Sequence, residues 1–303
     1  MVETLPTQKP DGTQRPIAGV LWMILTGLFF VAVTAAVKQG ASELPAAMSA
    51  FLRYVLGLVF LIPVFAALRD TKLTKRHLRL FGIRGAVHSI SVCLWFFAMT
   101  RITIAEVTAM NYMTPIYITL AAAFFLGERV AAARFMAIGV AFVGALIILR
   151  PGFREISDGH ISMIFTAIFF AISYLMAKRM ADELPASIVV AMLSISVTIG
   201  LFPLALWVWH WPTLEETAWM FLVAALATGG HYAMTRAFAV APVSVTQPVT
   251  FLQLVWSVLV GTLLFGEAFD FWVIFGGVLI ILAASFIAIR EAMMKHRATT
   301  QTR

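Results

Sequence analysis

The tetrapeptide Glu43-Leu44-Pro45-Ala46 recurs 140 residues later as Glu183-Leu184-Pro185-Ala186, and the residues before each copy also match. Leu28-Phe29-Phe30 and Lys38 precede the first copy, and Ile168-Phe169-Phe170 and Lys178 precede the second at the same distances. Positions 19–46 and 159–186 align without a gap and share twelve identities over 28 positions. A second, weaker match pairs Phe125-Leu126-Gly127-Glu128 with Leu264-Phe265-Gly266-Glu267 at an offset of 139. The sequence therefore predicts two copies of one structural unit.

The composition indicates that these units lie in lipid. The 303 residues are 61% hydrophobic and 12% charged, with a mean hydropathy of +0.92, whereas soluble domains are roughly 45–50% apolar and about 25% charged. This composition excludes an ordinary soluble enzyme and a disordered chain, and the single cysteine, Cys93, excludes a disulfide scaffold. The net charge of +7 is spread between apolar runs. A nucleic-acid partner is therefore not predicted, since it would need basic residues clustered on one face.

Runs of about 20 apolar residues are long enough to cross the hydrocarbon core as helices. They predict ten spans with short linkers, between a cytoplasmic N-terminal tail (1–16) and a cytoplasmic C-terminal tail (291–303). The polar start has no cleavable signal pattern, so the first span is expected to be retained. The spans are 17–37, 46–68, 80–99, 102–125, 131–149, 160–180, 185–208, 217–238, 241–265 and 270–289.

The distribution of lysine and arginine between the spans predicts the orientation. With the N-terminus in the cytoplasm, sixteen of these residues fall inside and four outside, while Arg53 and Arg84 lie within spans. Cytoplasmic loops carry the excess of positive charge in membrane proteins. Both termini are thus predicted to be cytoplasmic, in the inner membrane, and the number of spans is predicted to be even.

The predicted fold is an all-α membrane protein with ten transmembrane helices as two inverted five-helix repeats, residues 17–150 and 151–290. Five is an odd number, so two such units in series cross the bilayer in opposite senses. Inverted repeats place a binding site near the midplane between the halves, where one scaffold opens alternately to each side. This architecture favours a transporter.

At this point the sequence resembles the ten-helix EamA branch of the drug/metabolite transporter superfamily over residues 17–290. The resemblance rests on the two units, Arg53 within Phe51-Leu52-Arg53-Tyr54, Thr114-Pro115 in the fourth span, and the Gly-Glu pairs that end the fourth and ninth spans. The ninth span departs from the pattern, because Leu254 stands opposite Pro115 and the proline comes earlier, at Pro248. Within the branch the chain looks most like amino-acid exporters, including an exporter of aromatic amino acids.

Polar side chains at membrane depth are the candidates for substrate binding, because hydrocarbon cannot satisfy them. In the ninth span Thr250 and Gln253 share one helix face, and the 139 offset relates them to Asn111 and Thr114. The interpretation left open is helix–helix hydrogen bonding. The full predicted set is Trp22, Thr26, His88, Trp95, Asn111, Thr114, Thr166, Tyr174, His231, Tyr232, Thr250 and Gln253.

Histidines within spans have two interpretations. His88 and His231 either line the path as neutral hydrogen-bonding groups or carry protons, and the first is favoured. Arg84 lies one turn from the cytoplasmic end of its span, where snorkelling to the interface accounts for it.

Arg53 and Glu106 both approach from the outer side, so a partly buried ion pair that forms or braces an outer gate is predicted. The alternatives are a static pair and two groups that never meet. Pro115 and Pro248 are predicted hinges, since an internal proline frees a backbone carbonyl and bends its helix. Glu128 and Glu267 are interpreted as structural caps.

The resulting prediction is a secondary transporter that exports amino acids, including aromatic and other apolar ones, and related small metabolites by alternating access. Its partners are a small-molecule substrate and the lipid bilayer, with no nucleic acid. No enzyme motif, cofactor motif or metal-ligand spacing occurs in the sequence. The alternatives are a drug or other metabolite carrier of the same superfamily and, from another class, an intramembrane enzyme or a non-transporting assembly protein.

Overall fold

The computed structural model describes residues 16–40, 44–114, 116–118, 120, 132–153, 155–181, 183–240, 249–250 and 252–301, and these ranges contain helices and no strand. The helices are α1 (Pro16–Gly40), α2 (Ala46–Gly57), a 3₁₀ segment (Leu58–Val64), α3 (Phe65–Asp70), α4 (Lys75–Met99), α5 (Ile104–Asn111), α6 (Ala132–Leu149), α7 (Asp158–Ala181), α8 (Ala186–Trp207), α9 (Leu214–Val240), α10 (Leu252–Phe265) and α11 (Phe271–Gln301).

Five helical segments in the described ranges are long and apolar enough to cross a membrane. They are Ile17–Gly40, Ala46–Val64, Lys75–Met99, Asp158–Ala177 and Ser187–Trp207, and Phe135–Leu149, Leu252–Phe265 and Phe271–Ile287 are shorter apolar helices. Many large apolar side chains on these helices are exposed, for example Ile199 at 67% and Leu263 at 77%. Outward-facing apolar side chains of this kind suit a lipid surface, as the composition predicts.

The repeated tetrapeptide forms the same local structure in both halves. Pro45 is the N-cap of α2 with φ −56° and ψ 137°, and Pro185 is the N-cap of α8 with φ −55° and ψ 140°. Leu44 and Leu184, one position earlier in each copy, are both buried. The sequence repeat is therefore also a repeat of structure, with α1 and α2 equivalent to α7 and α8.

The two repeats are interlocked. The first helix of each repeat packs most extensively on the third helix of the other, so that α1 contacts α9 and α7 contacts α4. Equivalent helices of the two repeats also meet, since α2 contacts α8, α5 contacts α10 and α6 contacts α11, and further contacts between the repeats join α4 to α8 and α2 to α9. Each repeat thus buries its apolar faces against the other.

Equivalent helices run antiparallel to each other. Along α5 and α10, Thr108 Oγ1 lies 2.7 Å from Ser257 Oγ, and beyond the end of α5 the Tyr112 hydroxyl donates to the Thr250 carbonyl over 2.9 Å. At the other end of this pair, the Ile104 amide at the start of α5 contacts Glu267 beyond the end of α10. In the α2–α8 pair, Phe51 in the middle of α2 contacts Phe202 near the end of α8, whereas Leu61, after α2, lies close to Ala191 near the start of α8.

The α6–α11 contact depends on two glycines. A Cβ on Gly144 would lie 2.6 Å from the Gly276 carbonyl oxygen, and a Cβ on Gly276 would lie 2.5 Å from the Gly144 carbonyl oxygen. At these two positions the backbones approach so closely that only glycine fits, which is typical of helix pairs in membranes.

Proline affects the second helix of each repeat differently. Pro63 lies in the 3₁₀ segment that separates α2 from α3, whereas α8 continues through Pro203. The predicted hinges Pro115 and Pro248 lie outside the described residues.

Candidate substrate-binding site

His88 is held in the middle of α4 by residues from both repeats. Its Nε2 lies 3.1 Å from the Tyr54 hydroxyl of α2, and its Nδ1 lies 2.9 Å from Ser173 Oγ of α7. The side chain is 5% exposed. Both ring nitrogens have a partner, so the orientation of the imidazole is fixed where the two halves meet.

Aromatic rings surround this histidine. The Phe170 ring centroid lies 5.1 Å from that of His88, and Phe170 stacks on Tyr174 at 5.6 Å with an interplanar angle of 3°. Trp95, two turns along α4, meets Phe170 edge-on at 6.3 Å. Tyr174 is 43% exposed although its neighbour His88 is buried, so this cluster borders an open space. We call His88, Trp95, Phe170 and Tyr174 the aromatic cluster.

Two guanidinium groups lie next to the aromatic cluster. Arg53 packs its guanidinium over the Tyr54 ring at 4.2 Å, and Arg84 is 4% exposed, one turn before His88 on α4. The Nε atoms of both arginines are buried, and neither has a hydrogen-bond partner among the described residues. The Tyr54 hydroxyl under Arg53 lies 3.1 Å from His88 Nε2, so both arginines are close to this histidine. Arg84 is therefore more deeply placed than the snorkelling interpretation expected.

The predicted residues of α1 and α9 form a second group. Trp22 meets Tyr232 edge-on at 6.2 Å, and the Arg236 guanidinium lies 5.8 Å from the Trp22 ring centroid. Phe30 meets His231 at 5.2 Å.

The predicted polar residues of α1, α5, α7 and α10 lie at helix interfaces. Gln253 packs against Gly27, and the adjacent Thr26 donates to the carbonyl of Trp22 over 2.9 Å. Several buried polar atoms in this region have no hydrogen-bond partner within the described part of the chain: Trp95 Nε1, Asn111 Oδ1, Thr114 Oγ1, Thr166 Oγ1 and Trp256 Nε1. Unsatisfied buried groups are costly, so a substrate or water that reached them would gain hydrogen bonds.

The predicted pair of Arg53 with Glu106 is replaced by a different pair. Glu106 Oε1 lies 3.2 Å from His160 Nε2, and Glu106 Oε2 accepts the Thr103 backbone N–H over 2.9 Å. Thr103 and Glu106 form a capping box at the start of α5, and this geometry turns the carboxylate toward the N-terminus of its own helix. The sequence Thr103-Ile104-Ala105-Glu106 carries that signal, and we correct the predicted gate pair accordingly.

Glu267 also differs from its prediction as a simple membrane-edge cap. Its carboxylate pairs with Lys38 at the end of α1 and accepts the Ile104 N–H at the start of α5 over 3.0 Å. Gly266 has φ +61°, a conformation that favours glycine, and the Glu267 N–H donates to the Gly261 carbonyl in the last turn of α10 over 2.9 Å. Glu267 thereby joins α1, α5 and α10.

Further contacts between the repeats lie at the same end of the bundle, which we call the Lys38 end. Arg150 after α6 pairs with Asp270 before α11, and the Glu106–His160 contact lies nearby. At the opposite end, Glu183 accepts from Arg76 over 2.6 Å and lies 2.9 Å from His77 Nε2. The Arg76, His77 and Glu183 contacts join the start of α4 to the end of α7.

The Glu183 contact predicts a pH dependence of stability. The hydrogen bond from Arg76, with a further one from His77, holds the pKa of Glu183 below its ordinary value. A carboxylate whose pKa is depressed in the folded state stabilises that state above the unfolded-state pKa, and this stabilisation is lost as the pH falls through the folded-state pKa.

We expect Glu183→Gln to lower the melting temperature in detergent slightly at neutral pH, because exposed ion pairs contribute little. The difference in melting temperature from the unsubstituted protein should disappear in acid, once the pH is below the lowered pKa of Glu183. Melting curves from pH 7 downward measure it, with the exposed Glu215→Gln as the control. A difference that persists at the acid end would contradict the prediction.

Several residues of the site were missed from the sequence. Tyr54 and Ser173 hold His88, and His160 holds Glu106, yet none of the three was predicted. Tyr54 is next in sequence to the predicted Arg53, and Ser173 is next to the predicted Tyr174, so the sequence could have indicated that both lie near the site. The partners themselves could not be inferred, because each lies on another helix.

Comparison with known proteins identifies the kind of protein that has this architecture. A model described as the EamA-like transporter family matches residues 17–150 and 158–289. A riboflavin transporter of Rhizobium johnstonii is 32% identical, and the match covers 93% of this chain and 94% of that protein. A riboflavin transporter of Vibrio cholerae is 29% identical, with 93% and 97% covered. The pseudopaline exporter CntI of Pseudomonas aeruginosa is 26% identical, with 88% and 94% covered.

Proposed function

Because this chain belongs to the EamA-like transporter family, we propose that it is a secondary carrier for a small metabolite with a flat aromatic ring, bound at the aromatic cluster. The proposal rests mainly on one observation: the stacked Phe170 and Tyr174 rings beside His88, where the two repeats meet. A flat ring gains contact area and favourable ring geometry against such a surface. Riboflavin is the first candidate, since two relatives are named for it.

The bilayer arrangement is part of the same proposal. The ten spans, as two inverted units in the inner membrane with both termini in the cytoplasm, are supported by the antiparallel equivalent helices and by the sixteen-to-four distribution of basic residues. Alternating access then amounts to opening one end of the bundle while the other stays closed. The contacts at the Lys38 end separate in one of these states, and those of Glu183 in the other.

Export of amino acids, as predicted from the sequence, stays as the second candidate. Arg53 and Arg84 favour it, because an amino acid offers a carboxylate along with its side chain. The relatives do not decide between the two candidates, since their names cover riboflavin and pseudopaline.

Flux into proteoliposomes tests the proposal. We expect uptake of labelled riboflavin, or of labelled tryptophan or phenylalanine, above that of protein-free liposomes, and parallel runs with and without a proton gradient test coupling. Tyr174→Ala should raise the KM about threefold to tenfold, because it removes one stacking surface.

Phe165→Ala is the matched control for Tyr174→Ala. Phe165 lies on the same helix, is 49% exposed and has no ring contact in the part of the chain that the structure describes, so its loss should leave the KM unchanged. Folded protein that moves neither riboflavin nor an aromatic amino acid would contradict the proposed function. An equal effect of the two substitutions would place the substrate elsewhere.

A further inference from the structure

The two arginines beside the aromatic cluster have positive charge that the described residues do not balance. Arg84 is 4% exposed, and its Nη1 donates to the Val189 carbonyl over 3.3 Å. Neither Arg53 nor Arg84 has a carboxylate partner among the described residues. A buried guanidinium without an anion is costly in a low-dielectric interior.

Two largely buried carboxylates of the described residues have other partners. Glu106 is held by His160 and by the capping box of α5, and Glu267 is held by Lys38 and the Ile104 amide. Both lie at the Lys38 end of the bundle. The charge of Arg53 and Arg84 is thus available to a ligand.

The surroundings of the two arginines suit an acidic group that offers two oxygens to a guanidinium. Arg53 packs over the Tyr54 ring, whose hydroxyl lies 3.1 Å from His88 Nε2, and Arg84 precedes His88 by one turn of α4, so both arginines lie beside the aromatic cluster. Each has a buried Nε without a partner, and a guanidinium fork matches the oxygens of a carboxylate or phosphate. Tyr54 and Tyr174 add hydroxyl groups beside the same space.

We propose that the transported molecule carries an acidic group, carboxylate or phosphate, which Arg53 and Arg84 bind while its ring packs on Phe170 and Tyr174. This inference rests on the proposed function and narrows its substrate class to aromatic anions. Arg53 and Arg84 are then specificity-determining residues. The acid is recognised from the α2 and α4 side, and the ring from α7.

Matched pairs of compounds test the acidic group alone. The assay measures how strongly unlabelled compounds inhibit uptake of the labelled compound that the carrier moves. N-acetyltryptophan is compared with N-acetyltryptophan amide, and riboflavin 5′-phosphate is compared with riboflavin. We expect the acidic member of a pair to inhibit at about tenfold lower concentration, because hydrogen bonds to charged groups are strong. The two pairs separate a carboxylate from a phosphate preference.

Substitutions of the arginines test whether the preference for the acidic compound depends on them. Arg53→Gln should make the acid and the amide equal inhibitors, with the amide itself unaffected. Arg53→Lys keeps the charge but loses the fork, so the preference should be reduced rather than removed. Arg101→Gln is the control, since Arg101 is exposed and lies over Phe97 at 3.5 Å, and it should keep the full preference.

The outcomes separate this inference from the proposed function. Measurable uptake with equal inhibition by acid and amide would overturn the anion site and leave the carrier in place. A preference for the acid that survives both Arg53→Gln and Arg84→Gln would also overturn it. If the buried Arg84 cannot be replaced in a folded protein, Arg53→Lys and Arg53→Gln carry the test. Absence of any uptake would count against the proposed function itself.

Discussion

Glu267→Gln is expected to lower the free energy of unfolding by about 3 kcal/mol, at the lower end of what removal of one member of a buried ion pair costs. The Glu267 side chain is 9% exposed and that of Lys38 is 23% exposed, so the substitution leaves the lysine charge largely buried. The carboxylate also accepts the Ile104 N–H. The neutral amide keeps the shape of the side chain, so most of the expected loss is electrostatic.

Unfolding in mixed micelles measures this loss. Glu216→Gln is the control, because Glu216 accepts the Thr213 N–H over 2.7 Å within a single repeat and its loss should cost no more than an ordinary cap, about 1 kcal/mol. Lys38→Met combined with Glu267→Gln should cost less than the sum of the two single changes, since the pair is coupled. Additive losses would show that the two side chains do not interact.

Gly144→Val is expected to destabilise the protein by about 1–3 kcal/mol, the usual range for overpacking. A Cβ at this position meets the Gly276 carbonyl oxygen at 2.6 Å and Ile280 Cγ1 at 2.9 Å. The backbone carbonyl cannot move without moving α11, so the two helices must separate.

Gly139→Val on the same helix isolates the contact. Both substitutions replace a helical glycine by a β-branched residue, but a Cβ on Gly139 has nothing within 4 Å. We expect Gly139→Val to be nearly neutral and Gly144→Val to shift the unfolding transition clearly. Equal effects would mean that helix propensity, rather than the close approach of α6 and α11, decides the outcome.

Most of what could be predicted about the fold came from the internal sequence repeat. The copies of Glu-Leu-Pro-Ala predicted equivalent local structure, which Pro45 and Pro185 confirm. Membership of the EamA family, predicted from the motifs, is confirmed by the family match over both units. Five long apolar helices and three shorter ones agree with a membrane chain, while the count of ten spans stays a prediction.

The side-chain partners were less predictable, for a physical reason. Helical periodicity tells which face a residue occupies, but not which distant helix covers that face. Arg53 and Glu106 were paired from their depth along two helices, yet the capping box turns Glu106 toward His160. The sequence repeat includes Lys38, but its ion-pair partner Glu267 is 229 positions away. The packing of the helices is needed to identify this partner. The substrate-binding set as a whole stays a prediction.

The exchange of helices between the repeats has a consequence for biosynthesis. The helix that covers α1 is α9, and about 170 residues separate Gly40 from Leu214. At a synthesis rate of about 5–20 residues per second, α1 waits roughly ten to thirty seconds for its partner to leave the ribosome. During that interval the face of α1 that packs on α9 has no native neighbour. The newly inserted first half therefore depends on the insertion machinery or on lipid until the second half is made.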